Sequence, residues 1–129
     1  MRGGNDMARI LVVDDAKFMR VKLSTLLERQ NHEIVGMAEN GLEAVELYKS
    51  TRPDLVTMDI TMPVMNGIDA IKAILEFDEQ ANIIVCSAMG QQKVVVEAIE
   101  LGAKDFIVKP FNEVNIIETV NHILNGRHS

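Results

Sequence analysis

Five polar residues each stand where a short apolar run ends. Asp14 and Asp15 follow Ile10-Leu11-Val12-Val13, Asp59 follows Leu55-Val56-Thr57-Met58, Ser87 follows Ile83-Ile84-Val85-Cys86, and Lys109 follows Phe106-Ile107-Val108. An apolar run of this length is a buried strand, so the residue after it is delivered to the rim of a sheet. Three carboxylates, a hydroxyl and an ammonium group are therefore expected at one edge. Clustered carboxylates raise one another's pKa and stay together mainly where a cation neutralises them. All-oxygen donors with no histidine or cysteine beside them suit Mg²⁺ or Mn²⁺, and the octahedron of Mg²⁺ leaves positions for a phosphate oxygen. Lys109 offers a point charge, and Ser87 a hydroxyl, for the other oxygens of a transferred phosphoryl group. Ala88, directly after Ser87, is small enough not to crowd that group. No histidine is placed as a general base and no glycine-rich loop follows the first run; a carboxylate nucleophile, already ionised at neutral pH, requires neither. Asp59, alone on its strand while the Asp14-Asp15 pair serves the metal, is the natural nucleophile.

The elements that must position these residues are legible as an alternation. Apolar runs near 9–14, 33–38, 54–59, 82–87 and 104–109 are separated by stretches of helical period. The helical stripes are Met19, Leu23, Leu26 and Leu27; Leu42, Val45 and Tyr48; Ile68, Ile71, Ile74 and Leu75; Val95, Ala98, Ile99 and Leu101; and Ile116, Ile117, Val120, Ile123 and Leu124. Five β-α units with right-handed crossovers predict an α/β fold: a single doubly wound five-stranded parallel sheet, strand order 2-1-3-4-5, with five helices on two faces, flavodoxin-like. In that order the switch point lies between strands one and three, which end in Asp14-Asp15 and Asp59. Asn40-Gly41, Asn66-Gly67 and Met89-Gly90 read as turns, Pro53 and Pro110 as helix stops, and Asn112 as the cap of the last helix. Val94, Val95 and Val96 are three β-branched residues in a row within a helix, so its start is expected to be weakly held with Val94 or a neighbour exposed.

Composition narrows the function. At 129 residues and 47% apolar content the chain is one domain, read as a flexible extension over 1–7, a domain over 8–125 and a tail over 126–129. A net charge of −6 argues against nucleic acid and for a partner with a basic surface. No apolar stretch is long enough to span a membrane and no signal-peptide core opens the chain, so a soluble cytoplasmic protein is expected. Cys86, inside an apolar run, reads as core filler. Met19, Met37 and Met58 are assigned to the core, whereas Met62, Met65 and Met89 fall in loops near the acidic rim. His32, His122 and His128 are scattered and receive no catalytic role.

Taken together, Leu11-Val12-Val13-Asp14-Asp15, Met58-Asp59-Ile60-Thr61-Met62-Pro63, Ser87-Ala88 and Lys109-Pro110-Phe111 resemble the response-regulator receiver domain over about residues 8–125. The loop Ser87-Ala88-Met89-Gly90-Gln91-Gln92 and the run Gly102-Ala103-Lys104-Asp105-Phe106 tilt the likeness toward the stand-alone chemotaxis regulators of the CheY type. The resemblance implies that Asp59 accepts a phosphoryl group from a histidine kinase of the CheA kind. It further implies that Asp15 and Asp59 bind Mg²⁺ directly, Asp14 through water, and the backbone carbonyl of Thr61 as a further ligand. Ser87 and Phe106 match the switch pair; Phe106 lacks the hydroxyl a tyrosine would carry, so its switching is expected to be steric. Lys109-Pro110 is expected to be a cis peptide, and Ala88, Pro110 and Gly67 to be structural. The added charge of phosphorylation is expected to reshape the face built from the fourth helix, fifth strand and fifth helix. The partners implied are a flagellar motor switch or other output protein and a phosphatase, with the regulator itself a monomer that catalyses only its own phosphorylation and dephosphorylation.

Three rivals share parts of this pattern. An FMN carrier has the same architecture, but Asp14-Asp15 would repel the flavin phosphate and aromatic residues are few. An aspartate-nucleophile phosphohydrolase generally wants a second acid two residues after its nucleophile, where this chain has Thr61. A receiver cut from a larger regulator would be expected to show a linker, and none follows Asn125.

Overall fold

Aliphatic residues hidden on both sides make the three central strands, and strands of that kind pair in parallel beneath covering helices. In the computed structural model, which describes residues 7–126, β1 (Arg9–Val13), β2 (Glu33–Ala38), β3 (Leu55–Asp59), β4 (Ile83–Ala88) and β5 (Asp105–Lys109) form one parallel sheet in the order β2-β1-β3-β4-β5. The intervening helices are α1 (Lys17–Arg29), α2 (Gly41–Thr51), α3 (Gly67–Phe77), α4 (Gln92–Leu101) and α5 (Glu113–Gly126). Most of the expected N-terminal extension and C-terminal tail lies outside the described residues; Gly126, assigned to the tail, is the last residue of α5.

Alternation along the strands divides the core into two layers. Ile10, Val12, Leu55, Ile84 and Ile107 pack with Leu23, Leu26 and Leu27 of α1 and Ile116, Val120 and Leu124 of α5. Leu11, Val13, Val56, Met58, Ile83 and Val85 pack on the other face with residues of α2, α3 and α4. Three helices start on an asparagine whose side chain accepts a backbone N–H: Asn40 from Glu43 at 2.9 Å, Asn66 from Asp69 at 2.9 Å and Asn112 from Asn115 at 2.8 Å. Each cap of this kind contributes about 1 kcal/mol. Asn40-Gly41 and Asn66-Gly67, read as turns, are thus helix starts, with each glycine as the first helical residue. The reason is proximity: a Cβ on Gly67 would lie 2.1 Å from the Asp59 carbonyl oxygen, and one on Gly41 2.4 Å from that of Met65.

Three residues expected in the core are exposed. Met37 (49% exposed) stands on edge strand β2, where no further strand covers it. Leu42 (44%) lies off the buried face of α2, which is made by Gly41, Ala44, Val45 and Tyr48, and Ile99 (40%) flanks a groove between α4 and β5. Among the three valines, Val95 is buried, Val94 is half-buried against the core and Val96 is the exposed one at 55%. Met58 and Cys86 are buried as expected, Met62 is also buried, and Met89 is exposed. His32, given no role from sequence, is buried, and its Nδ1 accepts the Ala8 N–H at 3.1 Å.

The close approach at Gly67 yields a stability prediction. Gly67→Ala should cost about 3 kcal/mol, since backbone rather than a pliable side chain blocks the new methyl group. Gly126→Ala, with open space around it, should stay within about 0.5 kcal/mol of the parent. Urea unfolding midpoints of the two variants test this, and equal midpoints would contradict it.

Candidate functional site

Continuing the alternation one step past each strand sorts the polar residues by face. Asp14, Asp59 and Lys109 extend the face of Ile10, Leu55 and Ile107, whereas Ser87 extends the face of Ile83 and Val85 and shares it with Phe106 and Val108. Carboxylate oxygens of Asp14, Asp15 and Asp59 lie within 4.8 Å of one another; Asp14 and Asp59 are buried and Asp15 is exposed. Such a set of hard oxygen donors fits a divalent cation of the Mg²⁺ class. Lys109 Nζ donates to Asp14 Oδ2 at 2.5 Å and to Asp59 Oδ1 at 3.3 Å. The other oxygen of Asp14 accepts the Ala16 N–H at 2.9 Å, and Asp59 Oδ1 also accepts the Ile60 N–H at 2.9 Å. Asp59 Oδ2 takes no hydrogen bond among the described residues.

The charges are unevenly shared. Burial pushes the Asp59 carboxyl up to about 6; Lys109 pulls it down, and the charge of Asp14 adds to the rise. Burial alone would lower the Lys109 ammonium, but the Asp14 hydrogen bond and the charges of Asp59 and Asp14 outweigh it, and its pKa is raised. The distances explain the division, since Asp14 holds the ammonium closely and Asp59 receives its weaker contact. Cys86, fully enclosed beside this cluster, has its thiol pushed up to about 12 by burial and is inert packing.

The remaining expected residues lie around the acids. Ser87 is buried at the end of β4, and Ala88, exposed beside it, pairs in register with Lys109. Lys109-Pro110 is cis. Thr61 is exposed in the β3–α3 loop, and the Gly67 N–H closes that loop by donating to the Ile60 carbonyl at 2.7 Å. The Phe106 ring is not brought to the acids: it is 45% exposed and borders a groove of about 460 Å³ lined by Ser87, Val95, Val96, Ile99 and Val108.

Two neighbours of the site escaped the sequence reading. Arg20 donates from Nη1 to the Asp14 carbonyl at 2.7 Å, with Nη2 3.9 Å from Glu39 Oε2, and so holds the end of β1 against α1. Its place six residues after Asp14, in the first turns of a helix that must fold back over its strand, was an available signal. Gln91 is the second: its Oε1 accepts the Ala88 N–H at 2.7 Å while its Nε2 donates to Thr61 Oγ1 at 3.1 Å. Spacing alone carries no hint of that bridge, because its two ends come from different loops.

Comparison with known proteins agrees with this geometry. The family model for the response regulator receiver domain matches residues 10–121. The chain is 59% identical over 115 residues to the chemotaxis protein CheY of Thermotoga maritima, covering 89% of this chain and 96% of that protein. It is 61% identical over 118 residues to protein CcdB of Bacillus subtilis, covering 92% and 98%. Among solved structures, the CheX-CheY-BeF3-Mg complex from Borrelia burgdorferi superimposes with a TM-score of 0.87 at 37% identity, covering 90% of this chain and 88% of that one. Sheet order, rim chemistry and these matches agree that the chain belongs to the response regulator receiver domain family and is of the CheY type.

Proposed function

We propose that this protein is a phosphorylation-switched regulator of a two-component system, serving chemotaxis, in which Asp59 takes a phosphoryl group from a histidine kinase of the CheA kind. The observation that carries the reading is the asymmetry of the Asp59 carboxylate: Oδ1 is held by the Ile60 N–H and Lys109, while Oδ2 is left for attack. Oδ2 forms the new O–P bond as the P–N bond of the phosphohistidine breaks, and the electron pair leaves with the imidazole. Bound Mg²⁺ supplies positive charge to the acids and the phosphoryl oxygens. Asp15, Asp59 and the Thr61 carbonyl would hold it directly. Asp14, whose two oxygens already accept the Ala16 N–H and the Lys109 ammonium, suits a water-mediated contact. Lys109 and the Ser87 hydroxyl receive the phosphoryl oxygens, and Ala88 leaves room for them.

Phosphorylation adds about −1.5 to −2 charges at a rim that is already acidic. Lys109 is then drawn from Asp14 toward the phosphoryl group, and Ser87 moves toward it from the other face of the sheet. The groove beside Phe106 gives the ring somewhere to turn inward, and with it the surface of α4, β5 and α5 changes. That surface would meet a flagellar motor switch protein or another output protein. The named CheX partner of the Borrelia relative supports a further regulatory partner, here assigned as a phosphatase. The protein would act as a cytoplasmic monomer and catalyse only its own Mg²⁺-dependent phosphorylation and dephosphorylation.

Incubation with acetyl phosphate and Mg²⁺ should add the mass of one phosphoryl group, and Asp59→Asn should abolish that gain; undiminished uptake by the variant would overturn the assignment. The same substitution should also reveal the cost of the buried charge. The carboxyl of Asp59 lies near 6 in the folded protein against 3.8 as its ordinary value, so its contribution to stability is present below about pH 4 and is lost as pH rises through 6. In metal-free buffer, the stability of Asp59→Asn relative to the parent should therefore rise by about 1.4 kcal/mol between pH 5 and pH 8. Urea unfolding with a chelator at the two pH values measures it, and a flat or inverted difference would refute the charge balance described above.

A further inference from the structure

The start of α4 differs from those of α2, α3 and α5. Its first flanking residue is Gln91, whose side chain does not cap its own helix. The amide reaches backward and sideways, accepting the Ala88 N–H at 2.7 Å and donating to Thr61 Oγ1 at 3.1 Å. The helix it leaves uncapped has no acidic residue in its first turn and carries three valines in a row from its third residue, so little local energy fixes its first turn. One side chain thus ties three things together: the loop after β3 that follows Asp59, the strand end that carries Ser87, and the first turn of α4.

We infer that Gln91 is a clasp that holds the unphosphorylated arrangement, and that its release lets α4 leave its resting position. The inference rests on the function proposed above and deepens it. Ser87 and Ala88 are consecutive, so a movement of the Ser87 hydroxyl toward a phosphoryl group on Asp59 displaces the Ala88 N–H from the Gln91 carbonyl. Thr61 sits two residues after Asp59, so a cation held by its backbone carbonyl would shift the other anchor. The phosphoryl group and the cation that accompanies it would each disturb one anchor. Gln91 then becomes available at the helix start, and the α4 side of the Phe106 groove is free to adjust. As a positioning residue, Gln91 acts through these loops and takes no part in phosphoryl transfer.

Beryllofluoride with Mg²⁺, a non-covalent stand-in for the phosphoryl group, provides the probe. A clasp that must open on binding opposes it, so Gln91→Ala should bind beryllofluoride about fivefold more tightly than the parent, the equivalent of one net hydrogen bond. Thr61→Val, which keeps the Gln91 contact to Ala88 and removes the hydroxyl that accepts from Gln91, should fall between the two. In the free protein, amide exchange at Ala88 should quicken in Gln91→Ala and stay near the parent rate in Thr61→Val. If the parent binds beryllofluoride and Asp59→Asn does not, but Gln91→Ala binds with the parent's affinity or more weakly, the clasp is refuted while the function stands. If the parent itself fails to bind, the functional reading falls and the clasp with it.

Discussion

A single ammonium group holds the rim together. Three carboxylates whose oxygens lie within 4.8 Å of one another would repel strongly in a partly dry setting, and Lys109 reaches two of them from β5. Opposite unit charges near 4 Å attract by about 4 kcal/mol at the effective dielectric of such sites, which is comparable to what burial of a carboxylate costs there. The contact joins the last strand to the first and third. It is also unequal, since Asp14 takes most of the ammonium and Asp59 keeps a raised pKa of about 6. A partly compensated acid is suited to exchange its partners when new charge arrives.

Strand alternation separates the acidic rim from the groove beside Phe106. Asp14, Asp59 and Lys109 share one face of the sheet's edge, whereas Ser87, Phe106 and Val108 share the other. Events on the acidic side can reach the α4 side only through the strand ends and their loops. Gln91 crosses that boundary by bridging Ala88 and Thr61, and in the proposed switch the Ser87 hydroxyl would cross it as well. The exposed Phe106 ring and the groove beside it lie where such a displacement would be felt.

Sequence made the sheet legible because its strands are short, mostly aliphatic runs, and four of the five, all but β2, end at or beside a residue of the site. The positions of Asp14, Asp59, Ser87 and Lys109 follow from period two and parallel pairing, whereas the crossover rule fixes only the hand of the connections, and the order 2-1-3-4-5 is one of the doubly wound arrangements it allows. What stayed hidden depends on tertiary distance. Gly41 and Gly67 look like turn residues until the Met65 and Asp59 carbonyls are seen against them. Met37, Leu42 and Ile99 sit in the apolar pattern, yet that pattern does not reveal an edge strand, the outward side of a helix or a groove. Gln91 carries no pattern at all, because its meaning lies in two loops brought together by the fold.

The central claim is that Asp59 bears the phosphoryl group, and locating that bond chemically tests it most directly. Protein treated with acetyl phosphate and Mg²⁺, then reduced with borohydride, converts an aspartyl phosphate to homoserine in place. Peptide mapping should find homoserine at position 59 and nowhere else. Homoserine at position 14 or 15, or an acid-stable phosphate on Ser87, would contradict the account.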